Sequence, residues 1–247
     1  GSSGPAGGFW RIDSASLEKA KEWQRLYGKT VKPTDPVVYG RDWYWDGIQK
    51  FGYRIYDPIS VMIKDYTFTQ NHNLSLNGRS NKTLYNIGFG YLNQTGMMKP
   101  AKHDDFNRFT ANFKVSNQVN NFISVRAGGL YSDRLKRYPN STNSSGFAAD
   151  PWLYLYRWSL LFPTGVKELG EEIRDPYWDT KNTNTVYDQR RYLNLTFGTT
   201  IDLTKNWQII ADYTYDFRNE TLNSSLPEIT LREHWYSAIP WVDENGD

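Results

Sequence analysis

A two-residue alternation of apolar and polar side chains, recurring in segments about as long as a membrane-crossing strand, constrains this chain more than any other feature. Around residues 105–116 the apolar residues Phe109, Ala111, Phe113 and Val115 alternate with Arg108, Thr110, Asn112 and Lys114. The odd-numbered stripe returns in Tyr85, Ile87, Phe89 and Tyr91, then in Ile123, Val125, Ala127 and Tyr131. It returns again in Leu193, Leu195, Phe197, Ile201 and Leu203, and in Trp207, Ile209, Ala211, Tyr213, Tyr215 and Phe217. Neighbouring side chains on a strand point to opposite faces, so each segment has one apolar and one polar face. Helices do not fit that period, which leaves a soluble antiparallel sheet or the wall of a transmembrane barrel.

The share of hydrophobic residues is 38% and mean hydropathy is -0.71, and no apolar run reaches the roughly 18 residues of a membrane helix. A barrel needs none, because its strands are apolar only at alternate positions. Aromatic content is high at 16%, with 10 Trp and 18 Tyr, residues that favour surfaces half apolar and half wet. The net charge of +2 comes from interspersed signs and gives no field for nucleic acid. With no cysteine there is no disulfide framework or thiolate metal site, and His72, His103 and His234 lack ligand spacing. No cofactor is expected. The chain begins in Gly-Ser-rich sequence without a start methionine or signal peptide and ends in the polar run Asp243–Asp247, as expected of a piece of a longer protein.

Residues 1–66 are expected to be an outer loop region. A helix capped by Ser14 runs to about Tyr27, with Leu17, Ala20, Trp23 and Tyr27 on one side and Gly28 as the stop. The aromatic cluster Tyr39, Trp43, Tyr44 and Trp45 follows, and Pro58 argues against regular structure around it. Strands are expected at 67–78, 83–95, 105–116, 122–136, 187–203 and 207–219, with a long outer loop at 137–186 and another at 220–247. Tight polar turns follow residues 78, 116 and 203, and wider connections lie between. In an antiparallel meander this puts the tight turns at one end and the wide loops at the other, as in outer-membrane barrels. Tyr85 and Tyr91 bracket Ile87 and Phe89 as aromatic girdles bracket an aliphatic band.

The run Asn71-His72-Asn73-Leu74-Ser75-Leu76-Asn77-Gly78, the returning run Tyr85 to Gly96, and Phe106-Asn107-Arg108-Phe109-Thr110-Ala111-Asn112 resemble a stretch of the SusC/RagA family of TonB-dependent outer-membrane transporters. Asn77 and Arg79 depart from that family's Ser-Gly-Gly pattern, and Phe109 stands where a second arginine is common. The resemblance covers about residues 67–116. It implies an all-β fold in which this chain supplies about six strands of an antiparallel transmembrane β-barrel of about 22 strands, with short helices in its long outer loops. It also implies uptake of oligosaccharides or peptides in the bacterial outer membrane, a SusD-like surface lipoprotein as partner, and energy from TonB through a part absent here. On that reading Tyr85, Ile87, Phe89, Tyr91, Phe109, Phe113, Leu195, Phe197, Ile209 and Tyr213 face lipid, while Asn86, Gly88 and Gly90 face the lumen.

The aromatic residues Trp43, Trp45, Trp152, Tyr154, Tyr156, Trp158 and Trp178 are candidate contacts for substrate or lid, in competition with packing inside long loops. Trp235 is weighed in the same way. Asp150-Pro151 is a candidate helix start ahead of four of these rings. The polar positions Arg108, Lys114, Arg126, Arg134, Asp202, Asp212 and Asp216 fit a wet lumen wall with salt bridges. The acid pairs Asp104-Asp105, Glu171-Glu172 and Asp175 with Asp179 do not have the opposed geometry of glycoside hydrolysis, and no nucleophile or phosphate-loop motif is present. By the resemblance, the expected function is transport and not catalysis. A soluble all-β carbohydrate-binding domain and a secreted glycosidase are the alternatives.

Overall fold

In the computed structural model of the chain, residues 10–11, 13–47, 50–140, 152, 155, 159–173 and 175–225 are described. The dominant element is one antiparallel sheet of six strands: β4 (Thr69–Ser80), β5 (Thr83–Thr95), β6 (Asp105–Gln118), β7 (Ile123–Pro139), β10 (Thr185–Thr204) and β11 (Trp207–Asn223). The spatial order is β11-β10-β7-β6-β5-β4, so every strand pairs with its predecessor and successor within the sheet. The fold is all-β and antiparallel, as expected. Among the described residues β4 and β11 each pair on one side only, and the sheet stays open.

Five of the six strands run one to four residues past their expected ends. The first is Thr69–Ser80, where 67–78 was expected, because Gly78, Arg79 and Ser80 pair with Tyr85, Leu84 and Thr83. The turn is left with only Asn81 and Lys82, and Asn81 adopts the left-handed conformation (φ 52°) that its short polar side chain tolerates. Lys205 and Asn206 close the β10–β11 hairpin, and residues 119–122 join β6 to β7. All three tight turns lie at one end of the sheet. The 96–104 loop and the described residues among 10–68 and 140–184 lie at the other.

Those segments build a small cap. It contains β1 (Trp10–Arg11), β2 (Trp43–Trp45) and β3 (Lys50–Gly52) in a three-stranded sheet, the helices α1 (Ser14–Tyr27), α2 (Pro58–Met62) and α3 (Pro176–Asn182), and the ribbon β8 (Lys167–Glu168) with β9 (Glu171–Glu172). Two helix expectations need correction. The N-cap of α1 is Asp13 rather than Ser14; its side chain accepts from Ser16 N while the Ser16 hydroxyl accepts from Asp13 N, a reciprocal capping box. Its buried side is Ser16, Ala20 and Trp23, and Leu17, about 100° away around the helix, is exposed. Pro58 starts α2 at its first turn, where the missing N–H is no loss, with Asp57 as N-cap. The aromatic cluster is likewise not irregular, since Trp43–Trp45 is a strand paired with β3.

Hydrophobic burial is confined almost wholly to the cap. The buried apolar side chains include Trp23, Val37, Trp43, Tyr56, Met62, Met98, Phe162, Ile173 and Trp178, and Val186 at the cap end of β10 is the one from the large sheet. Fully buried groups of this size stabilise by about 1.5–3 kcal/mol each. The cap is tied to the sheet through the 96–104 loop: Lys64 N donates to Met97 O (2.9 Å) and Lys99 N to Met62 O (2.7 Å). The Asp104 carboxylate accepts from Met98 N at 2.8 Å and holds that loop in shape.

Candidate functional site

The large sheet offers two chemically distinct faces. Direct cross-strand partners share a face, and the register places Leu74, Phe89, Ala111, Tyr131, Leu193 and Phe217 in one row. The next rows hold Leu76, Ile87, Phe113, Leu195 and Tyr215, then Tyr85, Val115, Ala127, Phe197 and Tyr213. The ten residues expected to face lipid share this one face of the sheet. Phe89, Phe197 and Tyr213 are 48%, 50% and 64% exposed, so no other part of the described chain covers them. Phe113 lies across Gly129 on the neighbouring strand, where a Cβ would collide with its ring. This contact fills the gap a strand glycine leaves on an open face.

The apolar band is oblique to the rows. On β5 and β6 it begins at Tyr91 and Phe109 and ends at Tyr85 and Val115. On β10 and β11 it begins one row nearer the turns, at Leu193 and Phe217, and continues two rows further, to Ile201 and Ile209. From Trp207 to Phe217 the stripe spans about 33 Å along its strand at the usual rise per residue.

The opposite face carries Asn86, Gly88 and Gly90 beside Lys114, Asn112 and Thr110. Arg126 is ion-paired with Asp212 at 2.5 Å and donates to the Thr200 hydroxyl. Asp216 accepts from the Tyr192 hydroxyl (2.7 Å) and from Asn194 (2.8 Å), and Asp202 accepts from Gln208. Arg108, Arg134 and Lys114 make no ion pair among the described residues. On β10 and β11 two further arginines stand on this face, Arg190 and Arg218, though the sequence reading did not include them. Both occupy the even phase of their strands, so extending the alternation through 187–219 identifies them. Arg190 and Arg191, adjacent in sequence, point to opposite faces.

The candidate aromatic residues do not form one platform. Trp43 is 1% exposed: its indole N–H donates to Glu168 Oε1 (2.7 Å), Tyr39 meets it edge-on at 4.9 Å, and Lys50 Nζ lies 5.9 Å from its ring. Trp178 is buried with its N–H on Glu172 Oε2 at 2.7 Å. Both therefore serve as cap core, a correction to their candidacy for direct substrate contact, because neither ring has a free face. Trp45 is half-buried, and its Nε1 is without a hydrogen-bond partner. Trp152 is exposed. Tyr154, Tyr156, Trp158, Trp235 and the Asp150-Pro151 helix start lie outside the described residues.

The acid pairs have structural occupations. Asp105 pairs with Arg137 at 2.9 Å, and Glu172 also meets Lys181 at 3.3 Å. Asp175 is the N-cap of α3, accepting from Trp178 N (2.6 Å) and Gly165 N, and its burial pushes its pKa up to about 7. Burial also lowers Lys50 to about 8, with Glu168 opposing the shift. The densest polar cluster is in the cap too. Asp42, fully buried, accepts from Trp23 Nε1 (2.9 Å), Val38 N (3.0 Å) and Arg41 (2.7 and 2.8 Å), with Arg54 Nη1 at 3.4 Å. Arg54 spends its other donors on the carbonyls of Lys32, Pro33, Asp35 and Pro36, and its guanidinium stacks on Tyr56 at 4.8 Å. Such a saturated network fixes loops and leaves no reactive group exposed. No group of three or more metal-ligating side chains occurs among the described residues.

A scan against models of known protein families matches none, and a search of curated proteins finds no match.

Proposed function

We propose that the six-stranded sheet is a section of the wall of a transmembrane β-barrel in the bacterial outer membrane, from a TonB-dependent transporter of the SusC/RagA type that imports oligosaccharides, with peptides the second substrate choice. One observation carries this reading: the chain builds a real hydrophobic core, and that core leaves the apolar face of its largest sheet bare. A soluble carbohydrate-binding sandwich would bury the stripe against a second layer. Here, among the described residues, the buried apolar side chains belong to the cap and to the cap end of the large sheet. Lipid is the solvent that such a face requires.

Three further features support it. The roughly 33 Å stripe of β11, tilted by the usual 35–45°, subtends about 25 Å, the height of an outer-membrane apolar band. The band crosses the rows obliquely, as a level membrane crosses tilted strands. Every tight turn lies opposite the cap, which is the asymmetry of short inner turns and long outer loops. The open edges of β4 and β11 are then where the remaining strands attach, since an unpaired edge cannot persist in lipid. On this reading the polar face lines the lumen, the cap meets a SusD-like lipoprotein, and TonB acts through parts outside this chain. The protein carries solutes and catalyses no covalent step.

Phase partitioning tests the reading. The chain and its parent protein are expected in the detergent phase and in the outer-membrane fraction. A monodisperse, cooperatively folding 247-residue monomer free of detergent would sink it.

A further inference from the structure

On the polar face, Arg108, Arg134 and Arg190 stand directly opposite one another on the adjacent strands β6, β7 and β10. Arg218 stands one row nearer the turns on β11, its guanidinium 5.4 Å from the Tyr192 ring. They line an open depression of about 390 Å³ together with Thr110 and Ser132. Like charges directly opposite one another destabilise a sheet, so this row is maintained against its own repulsion. The acids nearby offset it at one end only, where Glu220 is the cross-strand partner of Arg190. Asp188 and Glu220 both engage Arg190, at 3.0 and 3.8 Å, and Asp216 is held by Tyr192 and Asn194. Arg108 and Arg134 have no anion among the described residues, in a chain whose total net charge is only +2.

We propose that this row binds an acidic oligosaccharide, its carboxylates or sulfate esters received by Arg108 and Arg134 and its hydroxyls by Thr110 and Ser132. The inference rests on the transport reading and narrows its substrate class. Guanidinium forks match the planar geometry of carboxylate and sulfate oxygens. The row lies on the cap side of the apolar band, at the mouth of the wall, where a solute arriving past the cap first meets it. The choice of a glycan follows from the transport reading, and an acidic peptide is the competing outcome that the test separates.

The test uses the intact parent protein in detergent. Fluorescence anisotropy measures binding of a labelled pentagalacturonate, its neutral methyl ester, a sulfated tetrasaccharide and penta-glutamate. At low salt at least one acidic glycan is expected to bind about tenfold more tightly than the neutral ester, with the carboxylate and sulfate probes identifying which anion is preferred. Arg108→Gln/Arg134→Gln should bring the affinity for the acidic glycan down to that for the neutral ester, and in the unaltered protein added salt should erode the preference. Equal affinity for acid and ester overturns the proposal, as does a preference the double variant leaves intact or a stronger grip on penta-glutamate. A double variant that lowers the thermal midpoint while leaving probe affinity unmoved also overturns it, because the arginines would then serve an acidic side chain of the protein itself. Should the chain prove a detergent-free monomer, the transport reading fails, while the acid-over-ester ratio still decides the role of the row.

Discussion

Exchanging the two members of the buried Asp42–Arg54 pair should have unequal consequences, and the structure sets the order. Asp42 faces two cations: Arg41 holds it through two short bonds and Arg54 lies at 3.4 Å. Arg54, 1% exposed, has Asp42 as its one carboxylate among the described residues. Arg54→Met keeps the packed stem and leaves the Asp42 carboxylate still bonded to Arg41, Trp23 and Val38. The loss is then mainly the donors to four loop carbonyls, which are part-buried and regain water. Each therefore costs near the low end of about 0.5–1.5 kcal/mol, and the total is roughly 2–3 kcal/mol. Asp42→Asn keeps the shape and strands a buried guanidinium without a counter-charge, which costs about 3–5 kcal/mol. In the double variant the stranded charge is gone, so the total should fall short of the sum by at least about 1 kcal/mol. The assay is urea unfolding of the detergent-solubilised chain, followed by near-ultraviolet circular dichroism of the buried cap tryptophans Trp23, Trp43 and Trp178. Equal losses, the reverse order or strict additivity would refute the account of this network.

Other outcomes follow from the same structure. Asp175, with its folded pKa raised to about 7 from 3.8, binds more protons folded than unfolded between those values. Its protonation therefore stabilises the cap fully below about pH 4, and that stability, up to about 4 kcal/mol, is lost as pH rises through 7. Asp175→Asn, which keeps a cap acceptor for Trp178 N, should flatten that part of the cap's stability-against-pH curve, and an unchanged slope would exclude this residue as its source. In lipid bilayers Phe113→Arg should destabilise the parent barrel by about 2–4 kcal/mol, whereas Asn112→Arg, one residue away on the polar face, should cost under about 1 kcal/mol; refolding titrations into vesicles would expose any reversal. Asp212→Asn, which breaks the exposed pair with Arg126, should change stability by no more than about 1 kcal/mol in the same titration.

The large sheet was legible and the cap was not, for a physical reason. A strand writes its faces into every second residue, so Phe109, Ala111, Phe113 and Val115 declare both strand and face within a few positions. Strand ends were less clear because Gly78, Arg79 and Ser80 carry turn chemistry yet pair in the ladder. The cap depends on contacts between distant segments, such as Trp43 Nε1 to Glu168 across 125 positions and Val37 N to Lys167 O. Nothing local in either segment announces the other. For that reason Trp43 and Trp178, candidate contacts by composition, are packed in a core, and Asp42 and Arg54, ordinary surface residue types, are its buried centre. The arginine row was half legible: Arg108 and Arg134 stood out by phase, but only the register shows that Arg190 completes their line.

The central claim, that the bare apolar stripe faces lipid, can be measured directly because the chain has no cysteine to interfere. Single cysteines placed in turn from Arg108 to Val115 in the parent protein, labelled with bimane in outer-membrane vesicles, report their surroundings through quenching. The account predicts a strict two-residue rhythm: brominated lipid quenches positions 109, 111, 113 and 115, and aqueous iodide quenches 108, 110, 112 and 114. Protection of the odd positions from both quenchers would mean that protein covers the stripe, and would contradict the account.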